Sequence, residues 1–268
     1  VVADAESHIV RWELGGLAWN AGLQTHTLDA EGGIFSPDEI HAVCHEADLH
    51  RPGTGLVCLE NTHNARGGLA IPVDRIRAVA EAAGSHDVPV HLDGARLFNA
   101  CVALGVDPAE MVAPVDSVLF CLSKGLGAPV GSVLAGSEPF IDEARRLRKL
   151  HGGGMRQAGI VAAPGLLALE NRSRLAEDHE NAARLAAGLD AIDGLSVPTP
   201  ETNIVVVDVS AAPFDAGAFV DACAERGVGS GAIDDAHVRF CTHLDVDRED
   251  IETALDRIES VVYSSGSM

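Results

Sequence analysis

The stretch VPVHLDGARLFNACVALGVDPAEMVAPVDSVLFCLSKGLGAPVGSVLAG, residues 88–136, decides the fold. VPVHLDGA, DSVLFCLS and GSVLAG are short apolar runs closed by turn residues, the pattern of strands buried in a sheet. ARLFNACVALG lies between the first two and predicts a helix, so the first two strands run parallel, joined by a helical crossover. In such sheets reactive groups collect just beyond the carboxyl ends of the strands. The informative positions are therefore Glu60 to Asn64, Asp93 to Arg96 and Ser123 to Gly127, each following a strand.

The same rhythm extends outward. SPDEIHAVCHEADL opens on Ser36, Pro37 and Glu39, a capping box with proline at the first helical position. GLVCLE is a further buried strand. IPVDRIRAVAEAAG places Val73, Ile76, Val79 and Ala80 on one face and is expected to stop on Gly84 as a C-cap. From about residue 157 the texture becomes Ala- and Leu-rich and helical, and NIVVVDVS, a helix in DAGAFVDACAERG, the strand HVRFCTHL and a closing helix from Asp247 follow. The expected class is α/β: a mostly parallel central sheet flanked by helices over residues 1–172, with a smaller α+β domain over residues 173–268.

Composition sets the outer bounds. With 268 residues and 47% hydrophobic content the chain has enough apolar material for a sizeable core. Its formal charge of -21 argues against nucleic acid and anionic membrane as partners, since both require a positive surface. Only Lys124 and Lys149 are lysines among the 19 cationic Lys and Arg side chains. An acidic coat with arginine in place of lysine fits a halophilic protein, because at about 1 M salt the Debye length falls to about 3 Å and crowded carboxylates cease to repel. No 18-residue apolar run or signal-peptide pattern is present, and six cysteines without CxxC spacing fit reduced thiols in a cytoplasmic protein. His41 and His45 are one helical turn apart, but no third ligand accompanies them, so no metal site is predicted.

Asp93 ends a strand expected to be buried on both faces, where a carboxylate needs a cation or several donors. Lys124 follows the next strand, so the two are expected at one sheet edge. One reading is a plain buried salt bridge. The other is a pyridoxal phosphate site, in which the lysine amine forms a Schiff base with the cofactor and the aspartate keeps the pyridine nitrogen protonated. Gly125, Gly127 and Ala128 would then let a flat ring approach the backbone. Arg239, between Val238 and Phe240, must find an anion, and a substrate carboxylate is one candidate.

ADAESHI with a following GG, LENTHN, VHLDGARLFNA, SKGLGAPVGS, GGGMRQAG, TNIVVVDV and VRFCTHLD, in this order through nearly the entire chain, resemble the low-specificity L-threonine aldolases. These belong to the β-eliminating lyase family of fold-type I pyridoxal phosphate enzymes. The resemblance implies an aldolase that uses pyridoxal 5'-phosphate to cleave L-threonine, L-allo-threonine or related β-hydroxy-α-amino acids into glycine and an aldehyde. It implies Lys124 as the Schiff-base lysine, Asp93 as the partner of the pyridine nitrogen, and His8 stacked on the ring. Arg96 would reach cofactor and substrate carboxylate, Arg239 would be the second carboxylate-binding arginine, and His50 would handle the substrate β-hydroxyl. Lys149 and Arg156 match basic residues near the site, contributed across an interface in a homodimer or homotetramer.

The family also carries a segment ahead of ADAESH, with a motif like RSDT and a glycine-rich turn that cradles the cofactor phosphate. This chain starts seven residues before His8. The expectation is a shortened chain with weak cofactor retention, exposed apolar surface and an open strand edge. Two further alternatives accompany the aldolase: another pyridoxal phosphate lyase or aminotransferase, and a non-catalytic homologue acting as an interaction subunit.

Overall fold

A computed structural model describes residues 1–265. The chain divides into two compact units, Val1–Arg172 and Ser173–Met268.

The first unit contains strands β1 (Val2–Asp4), β2 (His26–Leu28), β3 (Val57–Glu60), β4 (Val90–Asp93), β5 (Ser117–Cys121) and β6 (Ser132–Gly136). They form one sheet in the order β2-β1-β3-β4-β5-β6. The first five are parallel, and β6 runs antiparallel to β5 with Ser117 opposite Gly136. Helices α1 (His8–Arg11), α2 (Gly16–Ala21), α3 (Pro37–Val43), α4 (Val73–Gly84), α5 (Leu97–Leu104), α6 (Pro108–Val112), α7 (Glu138–Leu150) and α8 (Gly159–Glu170) connect or follow the strands.

Local chemistry explains where these helices begin and end. Ser36 caps α3 as a complete capping box: its hydroxyl accepts the Glu39 N–H, while Glu39 accepts the Ser36 N–H at 2.7 Å. Asp107 caps α6 ahead of Pro108, accepting the Ala109 N–H at 2.8 Å. Gly105 ends α5 in the left-handed region, at φ 64°. Gly84 departs from expectation: it is the last residue of α4 with no positive φ, and the left-handed residue of that turn is Asp87 at φ 55°. Helix α3 stops at Val43, so His45 lies off the helix and His41 instead meets His86, ring nitrogen to ring nitrogen, at 3.0 Å.

Val2, Leu59, Leu92 and Val118 from the sheet, with Ile40, Ile76, Val79 and Met111 from α3, α4 and α6, belong to one continuous core. Each fully buried aliphatic side chain of this kind contributes about 1.5–3 kcal/mol. Strand β4 was expected to be buried on both faces, yet it alternates: Val90 and Leu92 are buried, while His91 and Asp93 on the opposite face are half-buried. That face is the one left for chemistry.

The second unit holds α9 (Leu175–Asp190), β7 (Ile204–Asp208), α10 (Ala216–Glu225), β8 (Gly231–Ala232), β9 (His237–Cys241) and α11 (Arg248–Ser265), its three strands forming an antiparallel sheet in the order β7-β9-β8. Leu185, Leu189, Val205, Phe219, Val238 and Ile258 lie in its core. Among the described residues no helix is long and apolar enough to cross a membrane. All six cysteines are free thiols, and burial raises Cys58 to about 12 and Cys101 and Cys223 to about 11, so these three are unreactive.

Candidate active site

The strand order fixes where the site lies. From β1 the chain crosses to β2 on one side, whereas β3, β4 and β5 build outward on the other. The connections therefore diverge between β1 and β3, and a crevice opens beyond their carboxyl ends. Along this edge come His8 after β1, Glu60 at the end of β3, Asp93 at the end of β4 and Lys124 after β5. At about 4.8 Å per strand, β1 and β5 stand about 14 Å apart.

Asp93 and Lys124 share that edge, as expected. Asp93 pairs with Leu119 in the β4–β5 register, and the next residue, Gly94, donates its N–H to the Leu119 carbonyl at 2.7 Å. A Cβ on Gly94 would lie 2.8 Å from that same carbonyl oxygen, so only glycine allows this approach. Asp93 Oδ1 accepts the Ala95 N–H at 3.0 Å. Lys124 is exposed in the β5–β6 connection, where its carbonyl accepts the Gly127 N–H at 2.9 Å. Gly127 has φ 80°, so the turn requires a glycine there on backbone grounds alone. Among the described residues no salt bridge joins Asp93 to Lys124.

His8 begins α1, its Nδ1 2.8 Å from Glu13 Oε1 and its ring 5.3 Å from that of Trp12, tilted by 49°. Arg96 begins the turn into α5, and its guanidinium donates to Asn64 Oδ1 at 3.3 Å. His91 lies two residues before Asp93 on the same face, with Nδ1 2.8 Å from Ser117 Oγ. Burial lowers the basicity of His91, partly offset by Asp93, so its imidazole is neutral.

The other expected residues lie elsewhere in the chain. His50 is exposed in a loop closed by Thr54 N–H on the His45 carbonyl and Asp48 N–H on the Arg51 carbonyl, with Thr54 Oγ bonded to the Val43 carbonyl. This roots the loop at the end of α3, ahead of β3. Lys149 is in the last turn of α7, and Arg156 is in the exposed turn after Gly152, Gly153 and Gly154. Arg239 is half-buried in β9 of the second unit, opposite Val206 of β7.

Sequence reasoning marked Glu60 to Asn64 as informative positions after a strand but gave Glu60 no role, and it passed over Asp4 and its pairing with His63. Glu60 is 5% exposed and accepts two backbone N–H groups, from His8 at 2.6 Å and from Asn64 at 2.8 Å. Beneath it, buried His63 meets Asp4 Oδ2 at 2.8 Å, and Asp4 Oδ1 accepts the Ala30 N–H at 3.1 Å. The signal for Glu60 was its position at the end of a wholly apolar strand. Its partners were not legible, since His8 is 52 residues away in the chain.

The donor set fits pyridoxal phosphate: an accessible primary amine, a carboxylate on the adjacent strand, an imidazole across the crevice and a guanidinium beside it. A family model described as beta-eliminating lyase matches residues 1–212. The chain is 42% identical over 274 residues to "Probable low-specificity L-threonine aldolase 2" of Arabidopsis thaliana, covering 98% of this chain and 76% of that one. It is 40% identical over 247 residues to low specificity L-threonine aldolase of Escherichia coli (strain K12), covering 91% and 72%. The solved structure of Leishmania major threonine aldolase superposes with a TM-score of 0.80 at 21% identity, covering 97% of this chain and 77% of that one. Thermus thermophilus aspartate aminotransferase gives 0.68 at 19%, covering 97% and 72%, and at these identities both structures speak to the fold alone.

Proposed function

The chain belongs to the beta-eliminating lyase family, and on that premise we propose that it cleaves L-threonine and related β-hydroxy-α-amino acids to glycine and an aldehyde, using pyridoxal phosphate. One observation carries the reading: Asp93 ends β4 and Lys124 follows β5, its parallel neighbour, so both belong to the same carboxyl edge of the sheet. When bound, the cofactor supplies an electron sink for the substrate's α-carbon.

The chain's own residues supply the rest. Lys124 offers the amine that tethers the cofactor and is displaced by substrate. Asp93 holds a proton on the ring nitrogen. Arg96 binds the substrate carboxylate, which orients the Cα–Cβ bond for cleavage. A base takes the β-hydroxyl proton. His8 suits that task, because Glu13 at its Nδ1 leaves Nε2 to receive the proton. His50 is the second candidate, and Lys149 and Arg156 are assigned to substrate binding. Val1–Arg172 is the cofactor-binding unit and Ser173–Met268 the smaller one.

A second copy of the chain is part of the proposal. Helix α7 has no buried residue although it carries Phe140, Leu147 and Leu150, and α8 leaves Ile160, Leu166 and Leu167 exposed. A lone chain rarely leaves so many large apolar side chains exposed on two helices, and light scattering at the dimer or tetramer mass would support their burial between copies. The free thiols support a reducing, cytoplasmic setting. The charge of -21 supports a halophilic enzyme, tested by unfolding at rising KCl; resistance that is complete without salt and gains nothing in molar KCl contradicts it.

The decisive experiment reduces the holoenzyme with borohydride, maps the modified peptide and measures glycine and acetaldehyde formed from L-threonine. Label on Lys124 with both products supports the assignment. Label elsewhere, or a keto acid in place of glycine, overturns it.

A further inference from the structure

Glu60 spans the point where the strand order reverses. It ends β3, its Oε2 accepts the N–H of His8, which follows β1, and its Oε1 accepts the N–H of Asn64, which follows β3. Asn64 passes the connection on, since its Oδ1 accepts from the Arg96 guanidinium at 3.3 Å. One carboxylate thus ties three segments from both sides of the crevice. At 5% exposure this acid has been taken out of water, and the two backbone donors are what make that tolerable. An apolar residue would fill the end of a buried strand at less cost, so the acid is kept for what it holds. It holds the backbone of His8 on one side and, through Asn64, Arg96 on the other.

We infer that Glu60 is a positioning residue for this reaction, setting His8 and Arg96 at a fixed separation across the crevice while touching neither substrate nor cofactor. The inference rests on the reading of His8 and Arg96 as parts of a pyridoxal phosphate site. His8 begins a helix of only four residues, α1, which cannot hold its own geometry. Its imidazole therefore depends on an external anchor at the main chain. A displacement of about 1 Å in such a group costs up to about 100-fold in rate.

The test is a Glu60→Gln holoenzyme alone and combined with His8→Ala. Glutamine keeps the volume but has one acceptor oxygen, so one of the two N–H groups loses its partner. Amide hydrogen exchange, which needs no turnover, is expected to speed up about 10-fold or more at His8 or Asn64 and to stay unchanged in the second unit. Turnover of L-threonine is expected to fall about 10- to 100-fold in the His8 background, with a smaller change in KM. In the His8→Ala background the same substitution is expected to cost several-fold less, because one of the two residues it positions is already gone and only the arm through Asn64 to Arg96 remains. Equal losses in both backgrounds, or unaltered exchange at both amides, overturn the role. If Glu60→Gln does not fold, Glu60→Asp, which retains the charge one methylene shorter, takes its place with the same criteria. A wild-type chain that borohydride fails to label at Lys124 overturns the underlying reading of the site, and is thereby distinguished from a failure of the positioning role alone.

Discussion

Replacing His63 by leucine removes the partner of Asp4 from a place water does not reach. The two side chains are 0% and 5% exposed, and the Nε2 to Oδ2 distance is 2.8 Å. Leucine fills most of the ring's space, and Asp4 keeps only the Ala30 N–H on its other oxygen. Breaking a buried pair from one side costs about 3–5 kcal/mol.

The expected destabilisation of His63→Leu is therefore about 3–5 kcal/mol. At about 2–4 °C per kcal/mol the midpoint falls by about 6–20 °C. Urea and thermal unfolding followed by circular dichroism measure this. Adding Asp4→Asn removes the charge and should restore at least half of the loss. A His63→Leu chain within about 1 kcal/mol of wild type refutes the reasoning.

Gly94→Ala should lower turnover about 10-fold or more while leaving the chain folded, because the new Cβ meets the Leu119 carbonyl at 2.8 Å and pushes the Asp93–Arg96 segment aside; wild-type kinetics would show that the edge tolerates the shift. His91 and His179 are both held neutral chiefly by burial. The unfolded chain takes up their protons first as pH falls below about 6.5, so stability is complete above that value and declines beneath it. Urea midpoints from pH 7.5 to 5.5 follow the effect, and His91→Asn with His179→Asn should flatten it. Arg174→Ala should cost about 3–5 kcal/mol, because fully buried Asp178 loses two bonds of 2.9 Å. The exposed pair of Arg51 with Asp48 is the control, where alanine should cost no more than about 1 kcal/mol.

The amino-acid order by itself determined what depends on neighbours in the chain. Caps and periodicity placed α3, α4, α5 and the closing helix, since a capping box, an apolar face or a left-handed glycine acts within a few turns. Asp93 and Lys124 were legible as edge residues because each follows its own strand, and parallel crossovers bring successive strand ends to one side. Only the tertiary structure decided that β6 turns back antiparallel and that β4 exposes one face. It alone joined Glu60 to His8 across 52 residues and His63 to Asp4 across 59. Such contacts have no local cause: they exist because β1 and β3 pair in space, and pairing order is a property of the whole sheet that no window of sequence contains.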